Sequence, residues 1–247
     1  MKRAFNYLYT LLAYTILIIL TAVIVLLSLL FYLLRWKKAK NTVIHAWAKG
    51  SFFLIGKRLY VEGKENLEKG KKYILMANHT SLFDIMGIMS VFPEVAWFGK
   101  EYLLKIPIFG TLLRINNYVP MKSSNHRNTK EMLSELIKNT NNHTVAIFPE
   151  GTRTVTGELG KFRKGFLHVL KASELDILPV SLIGFFDFKP KNRSYFCYRA
   201  KLTLKIHEPL LYSELTELSD NEIISRTQSS IESVLTTTKT VLSGKFY

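Results

Sequence analysis

The apolar positions follow three different rhythms along the chain. From Ala4 to Leu34 no residue is charged, and the core of that run, Leu8 to Leu34, is dominated by Leu, Ile, Val and Ala. As a helix the core is roughly 40 Å long at about 1.5 Å per residue, against a bilayer hydrocarbon thickness of about 30 Å. Tyr7, Tyr9 and Tyr14 crowd one end and Phe31, Tyr32 and Trp36 the other, as interfacial aromatic belts do. The run is too long for a signal-peptide h-region and no small-residue cleavage site follows it, so a retained membrane helix over about 8–34 is expected. Residues 41–56 then mix Val43, Ile44, Trp47, Phe52 and Phe53 with His45, Lys49 and Ser51. That mixture predicts a second, amphipathic helix lying on the membrane surface, with an ordinary helix packed on the domain as the competing reading. Residues 1–57 thus form an anchor and residues 58–247 the folded domain.

The third rhythm is that of short apolar runs separated by helical patterns. Strands are expected at Arg58–Val61, Tyr73–Ala77, Val95–Phe98, Tyr118-Val119, Val145–Phe148 and Ile177–Ile183. Helices are expected from the Ile85–Met89 segment to about Ser90, around Thr129–Asn139, over Phe162–Ala172, and from Asp220 to about Leu235 with Ile223, Ile224, Ile231 and Leu235 on one face. Alternation of this kind predicts an α/β fold with a mixed, largely parallel sheet flanked by helices. Lys201–Ile206 alternates apolar and polar residues and reads as a half-exposed edge strand.

Charge narrows the partners. The 34 Lys and Arg against 19 Asp and Glu leave a formal net charge of +15, which calls for an anionic partner: nucleic acid, lipid headgroups or phosphorylated substrates. The apolar helix favours lipid, and no helix-turn-helix, RNP-like strand or finger spacing supports nucleic acid. Lys2 and Arg3 precede the helix, whereas Arg35, Lys37, Lys38 and Lys40 follow it, which puts the domain on the cytoplasmic side. The single cysteine, Cys197, excludes an intrachain disulfide and fits a reducing compartment.

Candidate chemistry collects where strands end. After Tyr73–Ala77 comes Asn78-His79-Thr80-Ser81-Leu82-Phe83-Asp84, a polar turn entering a helix. His79 and Asp84 fall within hydrogen-bond reach in such a turn. The carboxylate would then fix the imidazole tautomer and leave the other ring nitrogen as a general base. Ser81 and Asp84 also fit a capping box, which would occupy Asp84 structurally. The second cluster, Phe148-Pro149-Glu150-Gly151-Thr152-Arg153, leaves another strand. Gly151 and Thr152 suit an anion, Arg153 can grip phosphate with its fork, and Glu150 either accepts from an acceptor hydroxyl or fixes Arg153. A third cluster, Gly157 to Gly165, carries Lys161, Arg163 and Lys164 just before a helix.

Asn78-His79 with Asp84, the Phe148–Arg153 block about 65 residues later, and Leu178-Pro179-Val180 together resemble the glycerolipid acyltransferase family that includes the 1-acyl-sn-glycerol-3-phosphate acyltransferases. The likeness covers roughly residues 58–212. It implies transfer of a fatty acyl group from acyl-CoA or acyl carrier protein to the free hydroxyl of 1-acyl-sn-glycerol 3-phosphate (lysophosphatidate), giving phosphatidate. No cofactor or metal is called for, only the thioester as co-substrate and membrane lipids as surroundings. His79 and Asp84 then form the catalytic pair, and Glu150, Gly151, Thr152 and Arg153 bind substrate, with Gly151 a candidate oxyanion donor. One segment departs from the family: where relatives carry an Arg for the acceptor phosphate, this chain reads Asn117-Tyr118-Val119-Pro120-Met121-Lys122-Ser123. Lys122 takes that place, with Arg127 as the alternative, and a point charge in place of a fork implies looser phosphate selection. Rival readings keep the chemistry with glycerol 3-phosphate or another lysophospholipid as acceptor, or make the chain a lipid-binding membrane protein without turnover.

Overall fold

The structure is a computed structural model that describes residues 2–106, 109–116, 118–121 and 143–235. Lys122, Arg127 and the helix expected over Thr129–Asn139 lie outside the described residues. The uncharged N-terminal run forms one helix, α1 (Lys2–Leu33), which is long and apolar enough to cross a membrane. It ends in a Schellman turn: Trp36 N–H reaches Phe31 O at 2.9 Å and Arg35 N–H reaches Tyr32 O at 3.0 Å. The Phe31 and Trp36 rings make the accompanying apolar contact, edge to face at 5.5 Å. Arg35 occupies the left-handed position of that turn, φ 56°, where glycine is usual, at a cost of about 1–2 kcal/mol.

The chain then turns back as α2 (Lys37–Leu54), packed along α1 and against α3 (Phe83–Val91). The amphipathic helix is present, but its Ile44, Ala48 and Phe52 face is buried against protein. Phe53 and Leu54 remain exposed at its end. The packed-helix reading accounts for the inner face because Ile44 and Phe52 belong to the same core cluster as Ala13 and Leu17 of α1. On α1 the inward residues are Thr10, Ala13, Leu17, Ile24, Val25 and Ser28, a stripe at helical spacing.

The strands are β1 (Leu59–Glu62), β2 (Ile74–Ala77), β3 (Ala96–Lys100), β4 (Val119–Met121), β5 (Val145–Ile147), β6 (Ile177–Ile183) and β7 (Leu202–Ile206). They form one sheet in the order β1-β7-β6-β2-β5-β3-β4. Every pairing is parallel except β6 with β7. The fold is therefore the mixed, largely parallel sheet flanked by helices that the pattern predicts. β2 is buried throughout, with Leu75 and Ala77 in the core beneath α1, α2 and α3, and Ile74 and Met76 in the core on the other face. That second core is closed by α4 (Gly165–Ser173), through Phe166, Leu167 and Leu170, and by α5 (Asp220–Glu232), through Ile223 and Ile231. Helix α5 opens with a capping box between Ser219 and Glu222.

One expectation fails. β7 is not an edge strand: β1 pairs with one side of it and β6 with the other. Its alternation, with Leu202, Leu204 and Ile206 buried and Thr203 and Lys205 half-buried, reports one wet face. It says nothing about whether the strand's hydrogen-bonding edges are occupied.

Anchor and domain meet at Phe196. Its fully buried ring touches Tyr9 and Tyr14 of α1, Phe83 of α3 and Phe188, at centroid distances of 4.6–6.1 Å. Its N–H donates to Thr10 Oγ1 at 2.7 Å. Phe196→Ala should therefore destabilise the protein by about 3–5 kcal/mol. It should also loosen α1, read as a lowered melting temperature together with faster proteolysis within residues 2–33.

Candidate active site

β2 lies at the centre of the sheet, between β6 and β5. The helix after β2 packs on one face and the helix after β5 on the other. Connections that leave adjacent parallel strands towards opposite faces open a crevice at the strands' carboxyl ends. The His79 turn and the Phe148–Arg153 turn are its two lips.

The first lip is held by groups that imitate backbone. The β2–β6 ladder ends at Ala77 opposite Val180. The Asn78 amide then continues it, donating to Leu182 O at 3.1 Å and accepting from Leu182 N–H at 2.7 Å. The next residue is gripped on both sides: His79 N–H donates to Glu150 Oε1 at 2.6 Å, and His79 O accepts from Thr154 N–H at 2.9 Å.

His79 and Asp84 meet as the sequence predicts. His79 Nδ1 lies 2.9 Å from Asp84 Oδ2, and a carboxylate accepts, so Nδ1 carries the proton. The same Oδ2 accepts from Thr80 N–H at 2.6 Å and Ser81 N–H at 2.8 Å, with Thr80 Oγ1 at 3.4 Å from Oδ1. Asp84 is fully buried in the first turn of α3, where the helix dipole favours a negative charge. The capping box is not formed, since Leu82 takes the N-cap position without a side-chain cap; only its half from Asp84 to Ser81 N–H is present, and the same carboxylate orients the ring. Ser81 Oγ donates to Lys189 O at 2.7 Å. The imidazole stacks on Phe148 at 3.9 Å and 13°, with Trp97 stacked behind at 5.6 Å. Its side chain keeps 17% exposure. No group among the described residues is hydrogen-bonded to Nε2.

On the second lip Glu150 is 5% exposed, and both its oxygens are taken by backbone: Oε1 by His79 N–H, Oε2 by Gly160 N–H at 2.8 Å. It pairs with neither Arg153 nor an open space for a hydroxyl; it ties the two lips together. Burial pushes its carboxyl above the ordinary value, and the two N–H donors pull back against that shift. Gly151 has φ 68°, and a Cβ there would sit 3.0 Å from Arg163 Nε. Its N–H already donates to Phe148 O at 3.0 Å. Thr152 is exposed and Arg153 half-buried. No carboxylate among the described residues pairs with Arg153. A cation the sequence reading missed stands near it: Lys189, which burial and repulsion from Arg153 and Arg193 pull below its ordinary value. The run Lys189-Pro190-Lys191-Asn192-Arg193 was its only signal. No three His, Cys, Asp or Glu side chains among the described residues are close enough to share a metal ion.

A family profile described as Acyltransferase matches residues 58–183. The chain belongs to the acyltransferase family. It is 30% identical over 203 residues to the 1-acyl-sn-glycerol-3-phosphate acyltransferase of Cocos nucifera, an alignment covering 79% of this chain and 65% of that one. With the chloroplastic LPAT1 of Arabidopsis thaliana, described by the same activity, identity is 28% over 79% of this chain and 55% of the relative. The chain thus spans between about half and two thirds of these relatives' length. Among solved structures it resembles the 1-acyl-sn-glycerophosphate (LPA) acyltransferase PlsC of Thermotoga maritima, with a TM-score of 0.81 and 29% identity over 97% of this chain and 98% of that one.

Glu150→Gln keeps the side chain's volume but turns an NH2 towards one of the two N–H donors. The substitution should cost about 1–3 kcal/mol of stability. A chemical denaturation midpoint indistinguishable from the parent would remove Glu150 as the tie between the lips.

Proposed function

We propose that the crevice transfers a fatty acyl group from acyl-CoA or acyl carrier protein to the free hydroxyl of 1-acyl-sn-glycerol 3-phosphate, giving phosphatidate. The observation that carries this reading is the state of His79: Nδ1–H is spent on a buried carboxylate, while Nε2 has no hydrogen-bond partner among the described residues. A binder without turnover needs no such pair. The acceptor hydroxyl gives its proton to Nε2 as its oxygen attacks the thioester carbon. Asp84 stabilises the imidazolium so formed. When the tetrahedral intermediate collapses, the C–S bond breaks and the imidazolium returns the proton to the departing thiolate. The alcohol attacks directly, so no enzyme nucleophile is required and Cys197 has no part in the chemistry.

Arg153 is suited to the acceptor's phosphate, since its guanidinium has no carboxylate partner among the described residues and Lys189 adds charge beside it. Lys122 remains part of the proposal on sequence grounds alone. Acceptors with other phosphate-bearing backbones fit the same charges and are the alternative reading.

The anchor bears on where the acceptor comes from. The inward stripe of α1 from Thr10 to Ser28 covers about 27 Å of helix at the standard rise. A helix crossing the bilayer upright would carry the domain packed on that stripe into the hydrocarbon with it. We therefore read α1 as embedded from one side, with Leu8, Leu11, Ile18, Ile19 and Leu26 facing lipid and the domain on the cytoplasmic side.

Membranes supplied with a labelled acyl donor and a panel of acceptors, with products identified by mass, test the reading directly; phosphatidate should dominate. His79→Ala should lower kcat by about 10²–10⁴-fold with folding intact. Arg153→Ala should raise the acceptor KM about tenfold and leave the donor KM alone. Unchanged acceptor kinetics would take Arg153 out of the phosphate site.

A further inference from the structure

A second cleft lies away from His79. It has a volume of about 910 Å³ and lies where α1 turns into α2. Pro93 and Glu94, which precede β3, and His143, which precedes β5, form its far wall. β2, β3 and β5 run parallel, so this cleft opens at the end of the sheet where those strands begin. His79 sits at the end where they finish. The two sites are on opposite ends of the domain.

The lining combines two chemistries. Phe31, Tyr32 and Leu33 come from the last turn of α1. They continue its lipid-facing surface, on which Leu26, Leu30 and Leu33 are exposed. Arg35, Lys37, Lys38 and Lys40 follow directly, four cations against a single carboxylate in the lining, that of Glu94. Glu94 accepts from Asn41 Nδ2, also in the lining, at 2.8 Å. Lys40 is only 7% exposed, and its ammonium rests on the neutral oxygens of Ile115 O at 2.7 Å and Asn116 Oδ1 at 3.2 Å, with no ion pair among the described residues. Glu94 in the same lining offsets part of the Lys40 charge without bonding to it, and burial still disfavours the ammonium, so a further anion there is stabilising. The first turn of α2 holds no acidic residue and no side-chain cap, so the helix dipole adds to the positive potential.

Arg35 supplies an independent indication. It holds the left-handed position of the Schellman turn, φ 56°, where glycine would relieve the backbone. A left-handed position occupied by a long cationic side chain points to a task for that side chain.

We propose that this elbow cleft binds one anionic phospholipid, its headgroup phosphate held by Arg35, Lys38 and Lys40 and the start of its acyl chains lying on Phe31 and Tyr32. The aromatic floor selects a lipid over a free anion, and the cations select an anionic lipid over a zwitterionic one. The site is separate from the crevice and does not depend on the acyl-transfer reading.

The test uses the full chain in a neutral detergent. It is titrated calorimetrically with dihexanoylphosphatidylglycerol below its micelle-forming concentration, then with dihexanoylphosphatidylcholine and with inorganic phosphate. Phosphatidylglycerol should bind at one site, at least tenfold more tightly than either of the others. In Arg35→Gly and in Lys38→Ala that binding should weaken tenfold or more. The glycine suits its backbone position, so the melting temperature of Arg35→Gly should be unchanged or higher, and acyl transfer in detergent should persist. Binding that survives undiminished in both variants, or no binding at all, overturns the proposal. Inorganic phosphate binding as tightly as the lipid overturns it in favour of a simple anion site.

Discussion

A fully buried carboxylate is unfavourable unless donors surround it, and the structure at the crevice follows from how Asp84 meets that requirement. Two consecutive backbone N–H groups, one imidazole N–H and a helix dipole converge on it. All three donors come from residues 79–81, so satisfying the charge also dictates the shape of the turn. The shape of the turn in turn dictates where the His79 ring lies. Asp84 at the start of α3 is therefore a folding constraint first, and its effect on the ring comes with the same hydrogen bonds.

A second buried acid performs the complementary task between chain segments remote in sequence. Glu150 clamps His79 N–H on one side and Gly160 N–H on the other. Phe148, two residues earlier, lies flat against the imidazole. The ring is thereby fixed from within its own turn by Asp84 and from the neighbouring turn by stacking. Such double fixation keeps the imidazole in one orientation while its open side stays accessible.

What could be read in advance divides along the same line between local and remote contacts. The uninterrupted apolar stretch Tyr73–Ala77 announced a strand buried on both faces, and the spacing of His79 and Asp84 announced their contact, because both are decided within a few residues. The place of β7 in the sheet was invisible, since Lys201–Ile206 carries a signal for its wet face and none for its paired edges. Likewise the mixture of residues in 41–56 specified an amphipathic helix but not what would cover its apolar side, which proved to be α1 and α3. Glu150 was recognised as a site residue, yet its partners are backbone amides that no side-chain pattern encodes. Lys189 entered the site only because β6 delivers its loop beside Arg153.

The seating of α1 has a consequence for how the molecule is made. Thr10 receives its hydrogen bond from Phe196, a partner 186 positions further along. During synthesis the apolar helix emerges first, and the residues that complete its seat appear only when most of the chain has been translated. For that interval its bare surface needs a solvent, and a bilayer is the one that suits it. The seat of α1 is thus completed late, by a part of the chain that is made long after the helix itself.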